Sequence, residues 1–392
     1  LHLSFPDTLP RLGNRAILHG HPHTVQVYLH IPFCHRICPY CSFYKHTPGN
    51  TDIKAFLEAL LTEARHATRD QAFPQLRTLY FGGGTPSMLS PTHLRFLFGE
   101  LRKLFDFSQI EELTFEANPA TFDLKKAQLF RELGVTRISL GIQSFDDAVL
   151  KTLGREHSAA EAQEAVPILR EAGIAQVNID LMFSIPGQSI NSWEKTLATA
   201  IALKPDHISA YNLTYEEDTA FIAKLSKGEY HDDPETNARF FSLAHNTLSA
   251  AGFDHYETSN YAKRSSSTTR SSHNSGYWKG SNYLGLGPSA VSTIGTTRWK
   301  NLPDTAGYIK QITHVGHAKT EIEELSRDDL HLEYVAMALR TAEGLSLEHL
   351  SSNERQRAQQ VVDGELATLR DGHLILTHQG QLVTDSVIEH IV

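Results

Sequence analysis

Short runs rich in β-branched and aromatic residues recur along this chain, and each is followed by a longer amphipathic stretch. The strand candidates are Val25–Ile31, Leu76–Phe81, Glu112–Glu116, Arg137–Gly141, Gln176–Met182 and His207–Leu213. Between them, helical spacing of apolar residues marks Ile53–Arg65, Thr92–Phe105, Leu124–Leu133, Ala159–Ala172 and Ser192–Leu203. Strands alternating with helices build βαβ units and a parallel sheet whose strand C-termini gather on one face. Six units are too few for a closed eight-unit barrel, so the expected fold class is α/β with a partial (β/α)6 barrel over residues 25–215. Functional side chains then belong at strand ends and in the loops that follow.

The pattern changes after about residue 215. Tyr230–Ala251 reads as a helix, Phe253–Tyr261 as a strand, and the serine-rich Lys263–Ser275 as a loop, giving a smaller α/β extension over 216–325. Residues 326–392 read as a winged-helix-like unit: helices Leu330–Thr341 and Asn353–Leu369, then a hairpin of Gly372–Leu376 with Gln381–Val383. Asp385 and Glu389 at its end favour packing or partner docking over DNA reading. Residues 1–24 form an N-terminal extension with no charged-then-apolar secretory signal, from which a cytoplasmic location is expected.

Acidic residues outnumber basic ones, 45 against 36, which argues against a broad nucleic-acid-binding surface. No apolar run approaches the roughly 18 residues of a transmembrane segment, although peripheral association with a membrane stays open. All three cysteines, Cys34, Cys38 and Cys41, fall within eight residues directly behind the first strand candidate. An odd, clustered set suggests a metal rather than a disulfide. Zinc would want a fourth ligand such as His30, His35 or His46. A four-iron cluster normally takes four thiolates, so three would leave one iron open to a small chelating ligand.

Cys34-x3-Cys38-x2-Cys41 behind a strand resembles the signature of the radical S-adenosylmethionine (SAM) superfamily. Tyr28-Leu-His-Ile-Pro-Phe-Cys34 resembles in particular its oxygen-independent coproporphyrinogen III dehydrogenase branch. The resemblance implies a [4Fe–4S] cluster on the three cysteines, with the open iron taking the amino and carboxylate groups of SAM, and reductive cleavage to a 5′-deoxyadenosyl radical. It implies that Gly83, Gly84 and Thr85 hold the methionyl ammonium and that Arg155, with its planar fork, pairs with the carboxylate. Glu116, Gln143 and Asp180, polar residues on apolar strands, join this SAM set, and Tyr28 and Tyr40 border it.

The dehydrogenase carries a fourth cysteine where this chain has Phe43, which shifts the resemblance toward the HemW-type haem chaperones of the same branch. His273-Asn274-Ser-Gly-Tyr277-Trp278 matches that group's His-Asn-x-x-Tyr-Trp motif. The match implies haem binding, with histidine or tyrosine as axial ligand and the aromatic rings stacked on the macrocycle. Arg298, Asn301 and Tyr308 follow the group's pattern with no role assigned, and Val291 stands where many relatives have histidine. The implied function is a chaperone that binds haem, a cluster and SAM and passes haem to an acceptor protein. The alternative is oxidative decarboxylation of coproporphyrinogen III, against which Phe43 speaks.

Overall fold

The computed structural model describes residues 24–70, 75–264 and 269–392, so the expected N-terminal extension lies outside the described residues except for Thr24. The described chain divides into two compact units, one ending at Glu324 and one beginning at Leu325.

In the first unit β1 (Thr24–Ile31), β2 (Gln75–Gly83), β3 (Glu112–Ala117), β4 (Arg137–Gln143), β5 (Gln176–Phe183) and β6 (His207–Asn212) lie side by side in chain order, all parallel. Their composition explains the arrangement. Val25, Val27, Leu29 and Ile31 of β1 are at most 1% exposed and pack, with Phe81, Phe115, Leu140 and Ile179, in the main core. Helices Ile53–Asp70, Pro91–Leu104, Leu124–Glu132, Ala159–Glu171 and Ile190–Ala202 supply the other side of that core. Alternate residues face the other way, and there Tyr80, Thr114, Glu116, Ser139, Asn178, Asp180 and Ser209 line one cavity. Parallel strands covered by helices on both faces are apolar throughout. Here the second face is polar and lines the cavity.

Residues 216–324 extend this same sheet and do not form a separate layer. They add β7 (Phe253–Glu257), β8 (Asn260–Lys263), β9 (Tyr283–Leu286), β10 (Val291–Ile294), β11 (Thr297–Asn301) and β12 (Lys319–Glu324). Among the described residues the order is β12-β11-β10-β9-β1-β2-β3-β4-β5-β6-β8-β7, an open sheet. The run expected as one strand, 253–261, is therefore a hairpin, and the helix expected over 230–251 begins at Pro234, capped by Asp233. A short helix, Asp147–Thr152, follows β4 and was too brief for periodicity to reveal. The serine-rich segment expected as a loop ends in a helix, Ser272–Trp278.

Glu63, on the helix after β1, is buried and ties the end of this unit to its beginning. The Gly287 amide and the Tyr308 hydroxyl donate to its Oε2 at 2.8 and 2.6 Å, and the Asn301 amide donates to Oε1 at 2.6 Å. This accounts for two of the motif residues to which the sequence assigned no role. Burial outweighs these donors and pushes the carboxyl up to about 7. The folded state thus binds this proton more tightly than the unfolded chain does. The group's contribution to stability is present below about pH 4.5 and is lost as pH rises through about 7, by up to about 3 kcal/mol. Glu63→Gln is expected to flatten the dependence of the unfolding temperature on pH across that window. An unchanged slope in thermal melts would remove Glu63 as its source.

In the second unit, helices Arg327–Leu339 and Ser352–Asp363 pack on a three-stranded sheet of β13 (Leu345–Ser346), β14 (Ala367–Arg370) and β15 (His373–Leu376), in the order β13-β15-β14. The hairpin partner of 373–376 is therefore 367–370, not Gln381–Val383, and Gln381 and Leu382 lie in helix His378–Leu382. Asp371 and Gly372, with φ of 51° and 77°, provide the two-residue turn that sets this register.

Candidate functional site

The three cysteines occupy the loop that leaves β1 at the strand's C-terminal end. Its base is closed by backbone bonds from His46 to Pro32 (2.9 Å) and from Cys34 to His46 (3.0 Å). All three thiols are free and half-buried. Thr85 Oγ1 lies 3.5 Å from Cys34 Sγ, and Arg155 Nη1 lies 3.8 Å from Cys38 Sγ. Burial pushes the Cys34 and Cys41 thiols up, partly offset by Thr85 and Lys45 respectively. Thiolates in such a place call for a cationic partner.

Two of the three histidines considered as a fourth zinc ligand are already engaged. His30 contacts the Tyr44 carbonyl at 2.7 Å and the Tyr28 hydroxyl at 3.1 Å, and His46 contacts the Thr47 carbonyl and Thr305 Oγ1, both at 2.8 Å. His35 faces Glu156 at 3.9 Å. Among the described residues no three His, Cys, Asp or Glu side chains form a group for a single ion. Three thiols on one short loop are a donor set that fits an iron–sulfur cluster with one iron open.

The glycine-rich end of β2 lies directly against the cysteine loop. Gly84 N–H donates to the Ile31 carbonyl at 2.8 Å and Thr85 N–H to the Phe33 carbonyl at 2.7 Å. A Cβ on Gly84 would sit 2.7 Å from the Phe33 oxygen and 2.8 Å from the Pro32 carbonyl carbon, both backbone atoms with no rotamer to yield. Gly83 has φ of 107°, and a Cβ there would meet the His30 ring at 2.5 Å. Gly84→Ala is therefore expected to cost about 1–3 kcal/mol of stability by overpacking. It should also lower the iron retained after anaerobic reconstitution. Wild-type melting and iron content together would show that the close approach is not needed.

The lumen opens beside this loop as a cavity of about 450 Å³, continuous with solvent. Tyr40, Gly83, Gly84, Thr85, Glu116, Gln143, Arg155 and Asp180 all lie on its wall. Glu116 accepts from the Tyr80 hydroxyl (2.8 Å) and the Gly83 amide (3.2 Å), and desolvation pushes its carboxyl up to about 7. Asp180 accepts from Ser139 and from Asn178, each at 2.7 Å, and is likewise raised by desolvation. Gln143 closes β4 at a register shift with φ of 69°, a conformation that costs energy for a non-glycine residue and gathers at ligand sites. Arg155 donates to the Gly141 carbonyl at 2.6 Å, yet its Nε is buried without a partner. An unpaired donor on a cationic fork at a cavity wall is what a carboxylate ligand would complete. Tyr28 touches the wall indirectly, its ring stacked on Tyr80 at 5.9 Å.

The residues of the His-Asn-x-x-Tyr-Trp motif are divided between the cavity wall and the interior. Asn274 lines the cavity. His273 is 1% exposed with both ring nitrogens bonded, Nδ1 to Thr78 Oγ1 at 2.7 Å and Nε2 to the Tyr277 hydroxyl at 3.0 Å. Trp278 packs edge-on against Tyr256 at 5.7 Å. In this arrangement His273 and Tyr277 are each other's hydrogen-bond partner. Arg298 donates to Thr293 Oγ1 at 3.0 Å within the β10–β11 pair, and Val291 lies on β10. Sequence reasoning missed Glu63, Thr78, Tyr80 and Glu112, although the last three stand in strands whose polar residues alternate with apolar ones.

The fold and site are those of an α/β protein with three free thiols and a guanidinium fork at the C-terminal ends of a parallel sheet. Residues 28–200 match the model of the Radical SAM superfamily. The chain is 35% identical over 391 residues to the Heme chaperone HemW of Mycobacterium tuberculosis, covering 99% of this chain and 98% of that one. It is 32% identical over 370 residues to the protein of the same name from Bacillus subtilis, covering 92% and 97%. Its fold matches coproporphyrinogen III oxidase (HemN) from Escherichia coli with a TM-score of 0.81 over 96% of this chain and 91% of that one, at 23% identity. The chain thus belongs to the radical SAM superfamily and, within it, to the HemW family.

Proposed function

We propose that this protein is a haem chaperone that binds a [4Fe–4S] cluster, SAM and haem and transfers haem to an acceptor protein in the cytoplasm. The observation that carries the reading is the end-to-end match to proteins named as haem chaperones, 99% of this chain against 98% of the relative. Cys34, Cys38 and Cys41 would hold the cluster, and Gly83, Gly84, Thr85 and Glu116 would surround an ammonium. Arg155 would take the carboxylate of SAM, with Gln143 and Asp180 on the same wall. When bound, the cluster supplies one electron and an open Lewis-acidic iron. The chain's own residues orient the ligand: Arg155 presents a fixed charge, and Tyr80 and Gly83 hold the Glu116 carboxyl against the cavity.

Haem is flat and mostly apolar, and large apolar side chains stand exposed at the mouth. Ile37 is 50% exposed, Phe43 67% and Tyr211 39%, the last two on the cavity wall beside Tyr40 and Met182. An open apolar rim supports reversible holding, which delivery requires. Phe43 also leaves no fourth thiol at the position where the decarboxylating branch has one. The test is anaerobic reconstitution followed by haem titration and by incubation with coproporphyrinogen III, SAM and reductant. Stoichiometric haem uptake without vinyl product is expected, and Phe43→Ser should weaken uptake about three- to tenfold through lost apolar burial. Vinyl product would instead establish the dehydrogenase alternative.

A further inference from the structure

We infer that the His273-Asn274-Ser-Gly-Tyr277-Trp278 segment is the floor of the barrel lumen, with His273 a positioning residue and Asn274 the polar contact it presents to the lumen ligand. The inference rests on the reading above only in taking haem as the ligand to titrate.

The lower, lumen-facing residues of four successive strands converge on this segment. From β1, Gln26 Nε2 donates to the His273 carbonyl at 2.9 Å and to the Ser272 carbonyl at 3.3 Å. From β2, Thr78 bonds His273 Nδ1, and the Tyr80 ring stacks on the imidazole at 4.8 Å. From β3, Glu112 accepts from the backbone of Ser272 (2.8 Å) and His273 (3.2 Å) and from Ser271 Oγ (3.2 Å). From β4, Arg137 donates to the Thr269 carbonyl at 3.1 Å. Tyr256, itself bonded to His207 of β6, accepts from the Ser271 amide at 3.1 Å. Gly276 admits Gln26: a Cβ there would lie 2.0 Å from its Nε2.

Gln26, Thr78, Glu112 and Arg137 are buried polar groups, and each would lose partners if the segment withdrew, although Arg137 would keep Gln176 and Glu112 would keep Thr114. Burial pulls the His273 imidazolium down to about 3, so the ring is neutral, one nitrogen donating and the other accepting. In this arrangement the one lone pair of the neutral imidazole is engaged in a hydrogen bond, to Thr78 or to Tyr277, and does not point at the lumen. The next residue, Asn274, points the other way, onto the cavity wall with Ser271. A polar, aromatic motif that looks like a ligand set in sequence is thus the seal that sets the depth of the lumen.

Three variants of the full chain test this: His273→Gln, Thr78→Val and Asn274→Leu, each reconstituted and titrated with haem, with amide exchange followed over 269–278. His273→Gln keeps a donor and an acceptor but removes any imidazole ligand, and it is expected to keep the wild-type haem spectrum. Thr78→Val changes no residue able to ligate iron, yet it should speed exchange over 269–278 and weaken haem binding about fivefold. Asn274→Leu should weaken haem binding to a similar degree with unchanged exchange. A folded His273→Gln that loses the axial-ligand absorption, beside a Thr78→Val that binds as wild type, would overturn the inference and make His273 a ligand. If the wild-type protein takes up no haem, the chaperone reading falls. The floor is then judged by exchange alone, where unchanged protection in Thr78→Val would refute it.

Discussion

Replacing any one of Cys34, Cys38 or Cys41 with alanine is expected to reduce the iron and sulfide bound after anaerobic reconstitution to background, while the unfolding temperature of the apo-protein hardly moves. The two halves of this expectation have separate causes. Each thiol is half-buried, and two of the three have only a long contact to a neighbouring side chain, so truncation opens little cavity and breaks no strong bond. A cluster with three protein ligands, in contrast, loses a third of its anchorage with each thiolate. Neither His30 nor His46 can stand in, since both rings are bonded elsewhere. Iron and sulfide analysis beside a thermal melt separates the outcomes. Stoichiometric zinc in the wild-type protein, or a cluster that survives loss of one cysteine, would refute the assignment.

The second large effect is expected at Arg155. Arg155→Lys should weaken SAM binding by about 10- to 100-fold while leaving the cluster in place, and Arg155→Met should weaken it further. The fork spans the wall, one nitrogen on the Gly141 carbonyl and another toward Cys38, with Nε buried and unpaired. An ammonium is a point donor on a flexible stem and cannot serve these directions together. Equilibrium SAM binding to the reconstituted protein, with the cluster's electronic signal recorded with and without SAM, reports both parts. Undiminished SAM affinity in Arg155→Lys would place the carboxylate on another group.

Much of this site was legible along the chain because its parts are local. The cysteines lie in one loop, the glycines in one turn, and Glu116 and Asp180 interrupt apolar strands at visible positions. The short helix 147–152 and the 371–372 turn were overlooked for opposite reasons: the first has too few residues for a period, and the second carries an Asp-Gly signal that was read as the start of a strand. Polarity misled in the serine-rich stretch, where Ser271 and His273 are buried because strands 130 or more residues upstream supply their partners.

The amino-acid order alone determined the strand–helix alternation, the parallel sheet and the three-thiol loop at its mouth, since each arises from spacing within a few turns of chain. Only the tertiary structure decided which polar residues face ligand and which face one another. Thr78 meets His273, and Glu63 meets Asn301 and Tyr308, across 195 residues and more. Such pairs leave no periodic trace. They are selected by the cost of burying a polar group unbonded, which is evaluated only once the distant partner has arrived.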